Sequence, residues 1–169
     1  MSYVQNINRL HKLYTLVQQV SGELETIHQP RLHCKKGCFG CCVDNIEVFG
    51  IEAENIKKQY PEVLQQPPNA PGACAFLDRE GACRIYDARP FVCRTHGLPL
   101  RTIAEENNKI FELRDICPLN EEGTPLENID ERQLFFTNPF EEALAKLQLE
   151  CDGGKMERVG LRGMFIFRK

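Results

Sequence analysis

The chain contains 169 residues, of which 42% are hydrophobic and 27% are charged, and its formal net charge is -3 at pH 7. A chain of this length can bury a core without disulfides or metals. The weakly acidic balance argues against nucleic acid as a partner, because proteins that bind the phosphate backbone usually carry a basic surface. No apolar run approaches the roughly 18 residues that a membrane span requires, so we expect no membrane partner.

Cysteine is the compositional outlier. The chain has nine cysteines, of which eight lie between Cys34 and Cys117, and Cys151 stands apart. The N-terminal sequence MSYVQNINRLHK lacks the pattern of a secretory signal, so we expect a cytoplasmic location. In that reducing compartment, clustered cysteines are more often metal ligands than disulfides. Four disulfides are the leading alternative for an exported protein.

The first thirty residues form a predicted amphipathic helix that ends at Pro30. Its apolar residues recur in steps of three and four, which is typical of a helix with one buried face: Leu10, Leu13, Val17, Val20, Leu24 and Ile27. We expect this face to pack on the core. Because the repeat is close to a heptad, a dimerising helix is the alternative.

The middle of the chain alternates predicted elements with turns. DNIEVFG indicates a short strand or extended link, and GIEAENIKKQYPEVLQQ a helix with Ile51, Ile56 and Tyr60 facing inward. PPNAPGA is a loop that separates two groups of cysteines. Within residues 73–94, we predict a short hairpin of AFL against CRIY, followed by a helix that contains Cys93, with Asp87 as its N-cap and Pro90 in its first turn.

The C-terminal third has fewer signals. Residues 121–139 show little periodicity, NPFEEALAKLQLE predicts a helix from about Pro139 to Glu150, and GLRGMFIFRK a terminal strand. The expected fold is a small, α-rich α+β protein, in which a metal organises an irregular cysteine core with flanking helices and at most a short hairpin. We divide it into an N-terminal helix (1–30), a cysteine-cluster metal-binding domain (31–120) and a C-terminal extension with one helix (121–169).

Four cysteines fall within the nine residues CKKGCFGCC that begin at Cys34. Cys34, Cys38 and Cys41 follow C-x3-C-x2-C, a spacing that wraps a loop around a cluster. Radical SAM enzymes share this spacing, but the chain is too short for the barrel on which they are usually built. Cys42 is not explained by the spacing, and adjacent side chains on a helix or strand diverge, so Cys41 and Cys42 are expected to serve different roles.

Thiolates repel one another unless a cation or cluster neutralises them, so a cysteine cluster of this density predicts a metal site. The remaining cysteines are too far apart in sequence to form paired knuckles, and folding has to bring them together. Eight cysteines are compatible with two sites of four sulfurs and also with one site and four spare thiols. The predicted metal ligands are Cys34, Cys38, Cys41, Cys42, Cys74, Cys83, Cys93 and Cys117.

The joint pattern C-x3-C-x2-CC, CAFL and CRIYDARPFVCR, which ends at Arg94, resembles a cysteine-cluster family described as a zinc- or iron-chelating domain. Its bacterial members include the YkgJ-like proteins, and the resemblance covers about residues 34–117. Flagellin lysine-N-methylases share a related cysteine cluster, and for them the resemblance implies an iron-sulfur centre.

Zinc and iron-sulfur remain two alternatives for the cofactor. Zinc sites usually draw ligands from two close pairs, and this chain has the C-x2-C pair only at Cys38 and Cys41. A tight triplet completed by a distant cysteine before proline, as in Cys117-Pro118, is closer to iron-sulfur ligation. We therefore favour an iron-sulfur cluster over zinc.

Several residues beside the cysteines have two interpretations. Arg89 and Arg94 are expected to balance thiolate charge, with an anionic substrate as the alternative. His96 is expected on the surface, with a ligand role as the alternative, while Tyr86 and Phe91 are expected to pack around the site. A basic tail is expected to be a solvated face: Lys155, Arg158, Arg162, Arg168 and Lys169.

These patterns favour a metal-binding protein whose centre has a structural or electron-transfer role. The alternatives are a small enzyme related to the flagellin methylases and a redox or metal-delivery module with Cys151 as a free thiol. No glycine-rich loop suits S-adenosylmethionine, and CDGGK near the C-terminus is expected to be a turn. The predicted partner is a metal ion or cluster, and no protein partner is indicated.

Overall fold

The structure is a computed structural model that describes residues 3–35 and 37–166. None of the helices in these two ranges is long and apolar enough to cross a membrane. The elements, in chain order, are α1 (Tyr3–His28), β1 (Glu47–Phe49), α2 (Gly50–Gln59), α3 (Pro61–Leu64), α4 (Phe91–Arg94), β2 (Leu100–Glu106), β3 (Lys109–Asp115), β4 (Phe135–Phe136), α5 (Asn138–Asp152) and β5 (Arg158–Gly160). The predicted helix-rich α+β class is confirmed.

The chain divides into two compact units, each built from separated segments. The first unit comprises Met1–His11, Lys35–Pro90 and Leu144–Lys169, and the second comprises Lys12–Cys34 and Phe91–Ala143. The predicted division at residues 30 and 120 stays a prediction. The two units divide the cysteines between them. Cys34, Cys93 and Cys117 belong to the second unit, and the first unit contains Cys38, Cys41, Cys42, Cys74, Cys83 and Cys151.

The first unit has a hydrophobic core against which two cysteines pack. Strands β1 and β5 pair antiparallel, with Val48 opposite Val159, and α2 follows β1 directly. Cys74 and Cys83 lie against this core as partly buried residues. The buried members of the core are Val48, Ala53, Ile56, Val63, Leu64, Phe76, Ile85, Ala88, Leu161 and Met164.

Buried polar groups fix the start of α2. The Ile51 N–H donates to Oε1 of Gln148 at 2.9 Å, and Gln148 is only 1% exposed. The other end of the Gln148 amide donates to Asp152, which also accepts from the backbone N–H groups of the following turn. Gly153 and Gly154 have φ values of 68° and 90°, so the CDGGK segment is a turn, as predicted.

In the second unit, β2 and β3 form an antiparallel hairpin that pairs Leu100 with Asp115 and Glu106 with Lys109. Strand β4 adds in parallel beside β2. Asn107 and Asn108 both have positive φ, at 52° and 59°, as a two-residue type I′ turn requires. These two strands carry many charged residues, so their sequence lacks the apolar alternation that predicts a strand. The Asn-Asn pair between two extended stretches is the signal that could have identified the hairpin.

The N-terminal helix is confirmed, but part of its predicted buried face is wrong. Leu10, Val17 and Leu24 are buried as expected, whereas Ile27 is 48% exposed. Leu13 and Val20 are only partly buried. The second buried row instead consists of Ile7, Tyr14, Ser21 and His28. Two of these are polar, and the His28 ring reaches the Gln133 carbonyl at 2.7 Å, a partner that helical periodicity alone does not reveal.

Ile51 and Ile56 are buried as predicted, and α5 confirms the helix expected at residues 139–150. The predicted pairing of AFL with CRIY is reduced to a single antiparallel bridge, which joins Leu77 to Cys83. The expected C-terminal strand is misplaced: β5 ends at Gly160, Leu161–Met164 form a 3₁₀ helix, and residues 167–169 lie outside the described ranges.

The helix predicted to start at Asp87 does not form there. Tyr86–Ala88 are one 3₁₀ turn, and α4 begins only at Phe91. The physical reason is Pro90, because the residue before a proline is held away from helical geometry. Arg89 accordingly has φ -51° and ψ 135°. Cys93 does lie within α4, as expected.

The β2–β3 turn provides a stability test. Asn108→Ala should lower the free energy of unfolding by about 1 kcal/mol, because alanine is disfavoured at positive φ, whereas Asn108→Gly should lower it little or raise it. Urea denaturation of the two variants measures the difference. Equal destabilisation by alanine and glycine would contradict the assigned turn.

Candidate metal centre

The segment with adjacent cysteines is folded as consecutive turns. The Cys38 N–H donates to the Lys35 carbonyl at 2.9 Å, and the Cys42 N–H donates to the Phe39 carbonyl at 2.8 Å. Gly37 has φ 85°, which glycine adopts without strain. Because the chain turns here, the alternation of side chains that holds in a regular helix or strand does not apply.

As a result, the adjacent thiols do not diverge. The Cys42 thiol is in hydrogen-bond contact with that of Cys41, and it also interacts electrostatically with Cys74 and Cys83. Burial, followed by the three neighbouring thiols, raises the pKa of Cys42 to about 12. These four residues, all in the first unit, are called the four-thiol group below. The separate roles predicted for Cys41 and Cys42 stay a prediction.

Cys74 and Cys83 enter the four-thiol group from separate turns. The Cys74 N–H donates to the Cys42 carbonyl at 2.8 Å, which joins the two loops through their backbones. Each sulfur accepts a hydrogen bond from the backbone N–H two residues later, Cys74 from Phe76 and Cys83 from Ile85. Such N–H groups stabilise negative charge on sulfur, which suits a thiolate that binds a metal.

Burial and positive charge shift the pKa values of Cys74 and Cys83 in opposite directions. Burial raises the pKa of Cys74 and of Cys83, whereas the backbone N–H bonds and nearby arginines lower it. Arg84 acts on both, and its guanidinium donates to the Ala75 carbonyl at 2.8 Å. Burial also lowers the pKa of Arg84 itself.

A salt bridge holds the loops of the four-thiol group together. Arg162 Nε donates to Asp44 Oδ1 at 2.8 Å, and Asp44 follows Cys42 by two residues. The other guanidinium nitrogens donate to the backbone carbonyls of Asn69, at 2.7 Å, and Ala73, at 2.8 Å. The Arg162 contact, followed by the Gly72 N–H, holds the pKa of Asp44 below its ordinary value. Arg162 therefore connects the loop that carries Cys42 to the loop that carries Cys74.

The three cysteines of the second unit are arranged differently. Cys34 is exposed, and its sulfur accepts a hydrogen bond from Asn120 Nδ2 at 3.4 Å. Cys93 lies in α4, and Cys117 precedes the 3₁₀ helix Pro118–Asn120, where its carbonyl accepts from the Asn120 N–H. Sequence reasoning missed Asn120 because a single buried amide carries no pattern.

Arg89 and Arg94 both stack on tyrosine rings. The Arg89 guanidinium carbon lies 3.6 Å from the Tyr86 ring centroid, and that of Arg94 lies 3.9 Å from the Tyr14 centroid. Tyr86 is 59% exposed, so its expected role in packing around the site is wrong. Phe91 is buried as predicted, with its ring 6.1 Å from that of Phe140.

The expected solvent exposure is found for His96 and for part of the basic tail. His96 is exposed, and its Nδ1 lies 3.1 Å from the Val92 carbonyl oxygen, which fits the predicted surface role. Lys155 and Arg158 are exposed, but Arg162 is not a solvated residue, since it is committed to Asp44 and backbone carbonyls. Arg168 and Lys169 lie outside the described ranges.

The sulfur donors fit a thiophilic metal, although their side chains are not oriented to bind one metal ion without a change of rotamer. Across residues 3–35 and 37–166, no three Cys, His, Asp or Glu side chains are placed to hold one metal ion as they stand. The four-thiol group nevertheless combines sulfur donors, backbone N–H groups and nearby arginines, and a thiol can change rotamer without moving its backbone. The eight-cysteine ligand set stays a prediction.

Removal of the Arg162 guanidinium should destabilise the first unit. We expect Arg162→Met to lower the free energy of unfolding by about 2 kcal/mol, because a partly exposed carboxylate and backbone carbonyls lose charged hydrogen bonds. Arg162→Lys should not restore stability, since an ammonium cannot reproduce the planar array of donors. The control is Arg158→Met, which removes an exposed stacking contact with Phe49. Wild-type stability of Arg162→Lys in urea denaturation would contradict this role.

A comparison with protein families finds one match to this cysteine-rich region. The CxxCxxCC family model, described as a putative zinc- or iron-chelating domain, matches residues 33–118, just over half of the chain. Comparisons with curated proteins and with solved structures give no match. The relationship to YkgJ-like proteins and flagellin methylases stays a prediction. Because the model matches more than half of the chain, including eight of its nine cysteines, the chain belongs to the CxxCxxCC family.

Proposed function

We propose that this protein binds zinc or iron through its clustered cysteines, with the four-thiol group as the principal ligand set, and that the bound metal has a structural role. The observation that carries the proposal is the close association of the Cys41 and Cys42 thiols, to which Cys74 and Cys83 are electrostatically coupled. Family membership supports the same chemistry, since the domain is described as zinc- or iron-chelating.

The energetics of the four-thiol group explain why a cation is needed. Burial disfavours the thiolate form of Cys42, Cys74 and Cys83, and each ionised sulfur would repel its neighbours. A bound metal ion reverses this balance, because it neutralises the thiolates and displaces their protons. The four thiols are therefore unfavourable as free thiolates but favourable as metal-bound thiolates.

A structural role follows from where the four thiols lie along the chain. Cys41 and Cys42 belong to one loop, while Cys74 and Cys83 come from turns that pack on the core of the first unit. A metal shared by these residues would cross-link segments more than thirty residues apart. The binding free energy of such a metal adds directly to folding.

The choice between zinc and an iron-sulfur cluster is a finer question. The sequence-based preference for a cluster depends on Cys34, Cys38 and Cys41 with Cys117. The four-thiol group requires neither Cys34 nor Cys117, and four thiolates suit a single zinc or iron ion as well as a cluster. An electron-transfer role, which the sequence also allowed, belongs only to the iron alternatives.

Substitution of one thiol tests the ligand set. Cys42→Ser should reduce metal affinity by more than the roughly 10–100-fold that loss of an outer-shell partner costs, so most metal should be lost on gel filtration with a chelator. The control is Cys151→Ser, since Cys151 lies outside the four-thiol group and is also partly buried. Elemental analysis of protein purified without oxygen measures the metal content of both variants.

The same samples identify the metal. A brown protein with iron and inorganic sulfide indicates a cluster, a coloured protein with iron but no sulfide a single iron ion, and a colourless protein with zinc a structural zinc site. Full metal content in Cys42→Ser, or wild-type protein that takes up neither metal, would refute the proposal.

A further inference from the structure

The side chain of Asn120 is fully buried and makes hydrogen bonds in three directions. It is 0% exposed and lies at the end of the 3₁₀ helix that follows Cys117. Oδ1 accepts from the His33 N–H at 2.8 Å, and Nδ2 donates to the Gly97 carbonyl at 2.8 Å and to the Cys34 sulfur at 3.4 Å. Both amide protons and the amide oxygen are therefore used.

These partners determine the orientation of the amide. A backbone N–H can only donate, so the His33 N–H has to face the oxygen of Asn120. A backbone carbonyl can only accept, so the Gly97 carbonyl has to face the nitrogen. With both positions assigned, the second amide proton is directed at Cys34. The N–H to sulfur contact thus follows from two independent backbone partners.

Through these bonds, one residue connects all three cysteine-bearing segments of the second unit. The His33 contact holds the residue before Cys34, and the Gly97 contact holds the segment four residues after Cys93. The backbone N–H of Asn120 donates to the Cys117 carbonyl at 2.8 Å. These bonds link the chain next to Cys34 and Cys117 with the segment that follows the helix of Cys93.

Gly97 allows the close approach of the Cys34 sulfur. Its φ is 102°, a conformation that other residues rarely adopt, and a Cβ built at this position would lie 2.7 Å from the Cys34 sulfur. The sulfur therefore occupies space that any larger residue at position 97 would fill. Cys34 is exposed as a residue, yet its sulfur is held from two sides by Asn120 and Gly97.

We infer that Asn120 is a positioning residue for a Cys34 thiolate that binds zinc or iron, and that it links the segments that carry Cys93 and Cys117 to this ligand. This inference rests on the proposed metal-binding function. An N–H donor fixes the direction of a ligating sulfur and withdraws part of its negative charge, and loss of such a partner typically weakens metal affinity by about 10–100-fold. A neutral amide does so without competing for the metal, because its nitrogen has no free lone pair to donate.

The test compares Asn120→Asp with wild-type protein in a competition between the loaded protein and a chelator. Aspartate is nearly the same size and still accepts from His33, but it removes both N–H donors and places a carboxylate beside the sulfur. We expect the metal affinity of Asn120→Asp to be about 10–100-fold lower than that of the wild-type protein. The control is Asn138→Asp, which makes the same change at a partly buried asparagine of the second unit whose amide accepts from the Ile103 N–H and donates to the Ile103 carbonyl. It should lower stability without weakening metal retention.

The outcomes separate this inference from the proposed function. If Cys42→Ser loses metal while Asn120→Asp retains it as wild type does, the function stands and the role of Asn120 is refuted. If both variants keep wild-type affinity, both proposals fail. Equal losses in Asn120→Asp and Asn138→Asp would refute a specific role for Asn120, since they would reflect stability alone.

A second readout covers the case in which Asn120→Asp does not fold. In loaded wild-type protein, the Asn120 side-chain amide protons should give two widely separated signals in a ¹⁵N–¹H spectrum, and Cys34→Ala should shift one of them. An unchanged pair of signals would show that no bond to sulfur exists. The same Cys34→Ala protein should lose part of its metal, and full retention would remove Cys34 from the ligands.

Discussion

The four-thiol group depends on one bifunctional side chain, the guanidinium of Arg162. Its Nε binds the carboxylate of Asp44, while its terminal nitrogens bind carbonyls of the loop that ends at Cys74. A planar group with several fixed donors suits this task, because it satisfies a carboxylate and backbone oxygens at the same time. The bond from the Cys74 N–H to the Cys42 carbonyl then brings the loops into direct backbone contact. Without Arg162, three carbonyls and a carboxylate would compete for water near partly buried thiols.

The two units support their cysteines by different physical means. In the first unit, the supporting group is charged, and Arg162 and Arg84 both counteract the burial that disfavours the Cys74 thiolate. In the second unit, the supporting group is the neutral amide of Asn120, which acts on the more exposed Cys34. A buried thiolate needs more compensation than an exposed one. The choice of supporting residue therefore follows the burial of the sulfur that it contacts.

The fold and the proposed metal centre share residues. Cys74 and Cys83 are donors of the four-thiol group, and they also pack against a core that includes Phe76 and Ile85. The backbone N–H groups of those same two core residues point at the two sulfurs. Burial of the Phe76 and Ile85 side chains thus sets the position of the N–H donors, so a change in core packing would also change the thiols. Metal binding and folding are expected to be strongly coupled in the first unit.

The sequence by itself determined the features that depend on local repetition. Helices α1 and α5, the inward residues Ile51 and Ile56, the CDGGK turn and the family-specific cysteine spacing were all predictable, since each is encoded within a few turns of chain. Tertiary structure decided which polar residues became buried. His28, Arg162 and Asn120 are ordinary surface types in a sequence, and each is buried or engaged because a partner about 90 to 120 residues away accepts its hydrogen bond. The contact between Cys41 and Cys42 was likewise decided by a turn, because the side-chain directions of adjacent residues depend on backbone angles that residue spacing does not specify.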